Sequence, residues 1–116
     1  MRHKKGNRKV SKPTDQRIAL IRSLCLSLIN HEKIKTTDVR AKEAQKYVEK
    51  IVTLAKVGDL HSRRQAIQLL PNKDAIKKVF EVIAKKYESR SGGYTRCIKL
   101  GFRRGDASPV SLLEFV

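Results

Sequence analysis

Five basic residues, Arg90, Arg96, Lys99, Arg103 and Arg104, stand between Ser89 and Gly105 with no acid among them. Four glycines punctuate the same region, at 92, 93, 101 and 105, and two aromatics, Tyr94 and Phe102, sit between the charges. Arginine suits bidentate contact with phosphate. Glycine lets the backbone and its N–H groups come close to a ligand. Tyr94 and Phe102 offer ring faces on which unpaired bases stack. The combination points to a nucleic-acid backbone rather than a small substrate.

Two further basic clusters accompany it. Residues 1–13, MRHKKGNRKVSKP, carry Arg2, Lys4, Lys5, Arg8, Lys9 and Lys12, with His3 and no acid. So little apolar surface cannot fold alone, and the segment reads as an extended arm. HSRR at 61–64 supplies His61, Arg63 and Arg64 at the opening of a helix. Arg17 falls off the apolar stripe of the first helix and joins the candidates.

The whole chain agrees. Its 116 residues carry 27 lysines and arginines against 11 acids, a net charge of +16. Such an excess works against compaction by self-repulsion and implies a polyanionic partner. At 40% hydrophobic residues the chain is not wholly disordered, and its length suits one domain with a modest core. No apolar run approaches 18 residues, which predicts no membrane span. MRHKKGNRK lacks the apolar stretch of a secretory signal and reads as none.

Catalytic chemistry finds no support. The acids interleave with lysines, as in Lys42-Glu43 and Glu49-Lys50, and read as solvated helix faces rather than paired carboxylates. No GxGxxG, GxxxxGK[ST], HExxH or GxSxG occurs. Gly101–Gly105 lacks the lysine and helix of a phosphate-binding loop. His3, His31 and His61 have no ligand spacing with each other or with cysteine, so no metal site is expected. Cys25 and Cys97 read as two buried, reduced thiols.

The elements that must position these residues follow from periodicity. Thr14 is placed to cap a first helix whose Ile18, Ile21, Leu24, Cys25, Leu28 and Ile29 recur at helical spacing, ending near Asn30. KIKTT, 33–37, alternates as a short strand. A second helix starts at Thr37–Asp38, carries Ala41, Ala44, Val48, Ile51, Val52 and Ala55 inward, and stops at Gly58. Asp59 caps a third, with Leu60, Ile67 and Leu70 inward and Pro71 at its end. Asn72 caps a fourth, with Ile76, Val79, Phe80, Ile83 and Tyr87 on one face. Tyr94–Leu100 and 110–116 read as strands. The second of these is apolar on both faces and so interior to its sheet. The expectation is one α+β domain over 14–116, about four helices packed on a small mixed three-stranded sheet, behind a basic arm at 1–13.

Charge spread over an arm, a helix start and a loop-strand region suits a folded RNA surrounding the protein. A sequence reader of duplex DNA presents one recognition helix instead. An architectural DNA-binding protein of the nucleoid is the alternative, but neither a minor-groove wedge nor a dimer interface is visible. An RNA-modifying enzyme would need a cofactor or acid–base constellation that the chain lacks.

MRHKKGNRK, LINHEKIKTT at 28–37, AKEAQKYVEKIVTLAKVGDLHSRRQA at 41–66, GGYTRCIKLGFRRGDASPV at 92–110 and the closing LLEFV together resemble the bacterial-type large-subunit ribosomal protein seventeen family. The resemblance covers essentially the full length, in order. The chain departs from the family in PTDQR before the first helix, where SSHR-like sequences are common, and in Cys97, where a β-branched residue is common. The resemblance implies a structural constituent of the large ribosomal subunit, with large-subunit ribosomal RNA and neighbouring large-subunit proteins as partners. It further implies no catalytic role, no cofactor, no membrane and no small-molecule substrate. The expected location is the ribosome, in a bacterial cytoplasm or an organellar matrix.

Overall fold

The computed structural model describes residues 10–116. The residues of the basic arm from Met1 to Lys9 lie outside the described residues, and with them Arg2, His3, Lys4, Lys5, Arg8 and Lys9.

Helix α1 spans Thr14–His31 and buries Ile21, Cys25, Leu28 and Ile29. Its N-cap is Pro13, with no side-chain cap bond, so Thr14 is the first helical residue and not the cap. Proline, with its fixed φ and missing N–H, already fits the helix entrance. The helix ends at Glu32 in the left-handed region, φ 66°, whose N–H donates to the Leu28 carbonyl at 2.7 Å.

Strand β1, Lys33–Thr37, leads directly into α2, Asp38–Val57. All six residues of the expected α2 stripe are buried. Gly58 terminates α2 at φ +76°, where its N–H reaches the Leu54 carbonyl at 3.2 Å. A residue with a Cβ is strained in that conformation.

Helix α3, Leu60–Leu69, is capped as its sequence predicts: Asp59 Oδ1 accepts from the Ser62 N–H at 2.7 Å. Its inward face is different. Leu60 is 64% exposed and Ile67 is exposed, while Ser62, Ala66 and Leu70 are buried. Small residues one turn apart let α3 lie close on α2, and that packing outweighs the burial of two larger side chains. Helix α4 begins at Lys73 with Asn72 Oδ1 accepting from the Ala75 N–H at 3.0 Å. It runs as α-helix over Lys73–Lys78, as a π-helical turn over Val79–Ile83, and as α-helix again over Ala84–Lys86. The wider turn shifts the stripe, so Ala84 is buried while Phe80 is only partly so.

Strands β2, Thr95–Phe102, and β3, Pro109–Phe115, complete a sheet of order β1-β3-β2. The α+β class stands. Both pairings are antiparallel, so the sheet is not mixed. Residues 103–108 are too few for the crossover that a parallel β2–β3 pair would need. β3 is the interior strand, as its two apolar faces imply. Leu113 lies between Ile34 and Cys97 and is fully buried. Leu112, between Lys35 and Ile98, lies on the opposite face.

Two acids expected on solvated faces are structural. Glu43 is buried and its Oε1 pairs with Lys46 Nζ at 3.1 Å. Glu49 accepts from the Tyr94 N–H at 3.2 Å, the Thr95 N–H at 2.9 Å and the Thr95 hydroxyl at 2.6 Å, fastening the start of β2 to α2. Cys25 is fully buried, and burial pushes its thiol up to about 12; Cys97 is half-buried, and both are free thiols.

Candidate nucleic-acid interface

The helices cover one face of the sheet. At the end of that sheet, where β1 turns into α2 and the β2–β3 connection curls over, lies a groove of about 480 Å³. Lys35 of β1, Arg40 of α2, Phe102 of β2, and Arg103 and Arg104 of the connection line it, and no acid does.

The strand geometry that builds this groove rests on one bulge. Lys99 pairs with Ser111, but the next step on β3, Val110, pairs with Gly101, so Leu100 is an extra residue. Gly101 takes φ +114°, a conformation glycine adopts without strain. A bulge of this kind bends its strand and re-aims the residues that follow it. Phe102 follows it and is 78% exposed.

The connection is knitted by Arg103 and Asp106. Arg103 Nε donates to Asp106 Oδ1 at 3.1 Å, and a second guanidinium nitrogen reaches Oδ2 at 2.5 Å. The Ser108 N–H also donates to Asp106 Oδ1, at 3.2 Å. The Arg103 guanidinium first, and the Ser108 N–H second, hold the Asp106 carboxyl far below the usual carboxylate range. Arg103 is therefore partly neutralised within the turn. Lys35, Arg40 and Arg104 have no acidic partner among the described residues.

The other candidates are dispersed. Arg96, on β2, pairs with Glu114 at 2.6 Å and stays exposed. Lys99 is exposed near Asp38, whose carboxyl is lowered first by the Ser111 hydroxyl and then by Lys42. Arg90 donates to the Gly93 carbonyl at 3.0 Å, and its own carbonyl accepts from Lys56 at the C-terminal end of α2. At 1.5 Å per residue, α2 separates Lys56 from Arg40 by roughly 24 Å. His61 and Arg64 are exposed on α3, which packs on α2 and α4. Arg63 is half-buried, its guanidinium 4.8 Å above the Phe80 ring. Lys12 and Arg17 are half-buried at the entrance of α1.

Tyr94 does not belong with them. It is only 2% exposed, with its ring 5.4 Å from that of Tyr87 and its hydroxyl accepting from Lys56 Nζ at 3.2 Å. A base cannot stack on it. It closes the core where the Glu49 carboxylate fixes its N–H. Phe102 alone keeps the exposed ring expected of the pair.

Lys35 and Arg40 are the groove residues that sequence reasoning passed over. The signal for Lys35 was its outward phase in KIKTT; for Arg40, its place in the first turn after that strand. Other cations serve the fold. Arg22 binds the Leu69 and Gln68 carbonyls at 3.1 and 3.0 Å, and Lys78 binds the Ile29 carbonyl at 2.7 Å, so each satisfies the end of a neighbouring helix.

Among the described residues, no cluster of three or more His, Cys, Asp or Glu could hold a metal, and no helix is long and apolar enough to cross a membrane.

A family model described as ribosomal protein L17 matches residues 20–116. The chain is similar to the "Large ribosomal subunit protein bL17" of Azorhizobium caulinodans, 53% identical over 116 residues, covering 100% of this chain and 84% of that protein. It is similar to the protein of the same name from Syntrophotalea carbinolica, 49% identical over 116 residues and covering 75% of that protein. The Clostridium botulinum protein of that name is 50% identical over 111 residues, covering 96% of this chain and 98% of its own length.

Proposed function

As this chain belongs to the ribosomal protein L17 family, we propose that it is a structural, non-enzymatic constituent of the large ribosomal subunit, binding large-subunit ribosomal RNA by a mainly electrostatic route. The observation that carries the proposal is full-length likeness to proteins named for that subunit, at about half the residues identical. The dispersed positive charge supports it. Exposed cations stand at the groove, on β2, on α3 and at the far end of α2, as suits a folded RNA that meets the protein on several sides.

The contacts proposed are those of Lys12, Arg17, His61, Arg63, Arg64, Arg90, Arg96, Lys99, Arg103 and Arg104, with the arm cations Arg2, His3, Lys4, Lys5, Arg8 and Lys9 adding to them. Neighbouring large-subunit proteins are the further partners, and the cytoplasm is the setting. Nothing in the comparisons favours the DNA-binding alternative.

Sedimentation tests the reading directly. The protein should travel with the large subunit in a gradient of cell lysate. Purified protein should bind large-subunit RNA with log affinity falling by roughly 0.7 to 0.9 per phosphate neutralised for each unit of log salt. A protein that stays at the top of the gradient, or binds with no salt dependence, refutes it.

A further inference from the structure

We infer that the groove between β1, the start of α2 and the β2–β3 connection is a nucleotide-binding pocket that takes an unpaired base of RNA on the Phe102 ring and its flanking phosphates on Lys35, Arg40 and Arg104. The inference rests on the ribonucleoprotein reading above and goes beyond it. General electrostatic attachment needs no pocket and no aromatic ring.

Three observations converge. The first is Phe102, 78% exposed while Tyr87 and Tyr94 are buried. A phenyl ring left in water forgoes the stabilisation its burial would bring. Its exposure follows from the bulge at Leu100 and the positive φ of Gly101, which turn the strand end out of the regular register. The second is charge. Three cations without an acidic partner among the described residues line the same groove, and they come from three different segments of the fold. The acids nearest in sequence are already engaged, Asp38 with Lys42 and the Ser111 hydroxyl, and Asp106 with Arg103 and the Ser108 N–H. The third is size. At about 480 Å³ the groove falls within the roughly 300–1,000 Å³ of ligand pockets.

An aromatic ring in a groove lined by cations is the chemistry that recognises a splayed-out nucleotide. The base has a π-face to stack and the backbone has the anions. An A-form duplex keeps its bases stacked within the helix, so Phe102 would have no base face to meet there. A protein segment seated on the ring would have to be acidic as well as apolar. The nucleotide supplies both properties in one unit.

The test uses the full chain and a short single-stranded RNA with one 2-aminopurine, a base whose fluorescence falls on stacking. Wild-type protein should quench it on binding. Phe102→Leu keeps an apolar side chain without the ring. It should weaken binding by roughly 5- to 150-fold and abolish the quench, with no change in melting temperature because the residue is exposed. Phe102→Trp should restore both. Arg40→Ala should flatten the salt slope by about 0.7 and leave the quench at saturation intact.

Quenching by Phe102→Leu equal to wild type overturns the pocket. So does a loss that tryptophan fails to restore, because a stacking site keeps its base when one aromatic ring replaces another. Either result, with salt-dependent binding to large-subunit RNA retained, leaves the broader function standing. Wild-type protein without salt-dependent binding to that RNA overturns both.

Discussion

Glu49 in α2 and Thr95 in β2 are joined twice, with the Thr95 N–H at 2.9 Å and its hydroxyl at 2.6 Å meeting the same carboxylate oxygen. The second oxygen accepts from the Tyr94 N–H at 3.2 Å. One acidic side chain therefore satisfies both backbone N–H groups at the entrance of β2. Bonds to a charged group contribute about 1.5–3 kcal/mol each when they are not replaced by water. Glu49→Ala is expected to destabilise by about 3 kcal/mol, measured by denaturant titration. RNA affinity per folded molecule should hold, since Glu49 is not at the groove.

Arg103 and Arg104 are neighbours in sequence with opposite circumstances. Arg103 is bound to Asp106, and Arg104 has no acidic partner among the described residues. Arg104→Ala should flatten the salt slope of RNA binding by roughly 0.7–0.9, and Arg103→Ala by less. Asp106→Asn should steepen the slope by freeing Arg103. Titrations at several salt concentrations compare the three, and equal effects of the two arginines would show that the turn releases Arg103 on binding.

Leu113 is fully buried between Ile34 and Cys97, and Ile83 sits at the end of the π-helical turn, 4% exposed. Leu113→Ala and Ile83→Ala should each cost about 2–5 kcal/mol. Their RNA defects should vanish once stabilising conditions restore folding, whereas the Arg104→Ala defect should persist.

Asp38, Asp59 and Asp106 all titrate below the ordinary carboxylate range, through Ser111 and Lys42, through Ser62, and through Arg103 and Ser108 respectively. A carboxyl depressed on folding adds stability above its unfolded pKa of about 3.9, and that stability is lost as pH falls through the folded value. Melting temperature should be insensitive to these groups from pH 7 to about 5 and fall below about pH 4. Asp38→Asn with Asp59→Asn should lower the neutral-pH plateau and shallow the acid limb. The raised thiol of Cys25 has the opposite sign. It favours the folded state below the unfolded pKa of about 8.5, and the benefit is lost as pH rises towards about 12.

What the sequence made legible was local. KIKTT is a strand at 33–37, Asp59 and Asn72 accept from the N–H groups three residues on, and Gly58 ends α2 in the left-handed region. Each depends on residues within one turn. What escaped depends on partners far away in the chain. Leu60 and Ile67 face water because Ser62 and Ala66 fit α2 more closely, and Tyr94 is internal because Glu49, far back on α2, fixes its backbone. The bulge at Leu100 exists only as a register against β3, and it decides where Phe102 goes. The groove inherits that difficulty. Arg103 and Arg104 stood out in a glycine-rich run, whereas Lys35 and Arg40 join them only through tertiary folding.

The sheet order β1-β3-β2 puts the strand made last in the middle. Neither β1 nor β2 has any other strand to pair with among the described residues. During synthesis, β1 waits from Thr37 until Pro109–Phe115 has been made, about 4–16 s at typical rates of translation. Until then its N–H and C=O groups, and the Lys35 side of the groove, have no partner strand. The helices and the cations along them emerge well before that moment. An RNA that meets the growing chain early can therefore touch its charge but not its groove, and the order in which the polypeptide is made becomes the order in which it can recognise anything.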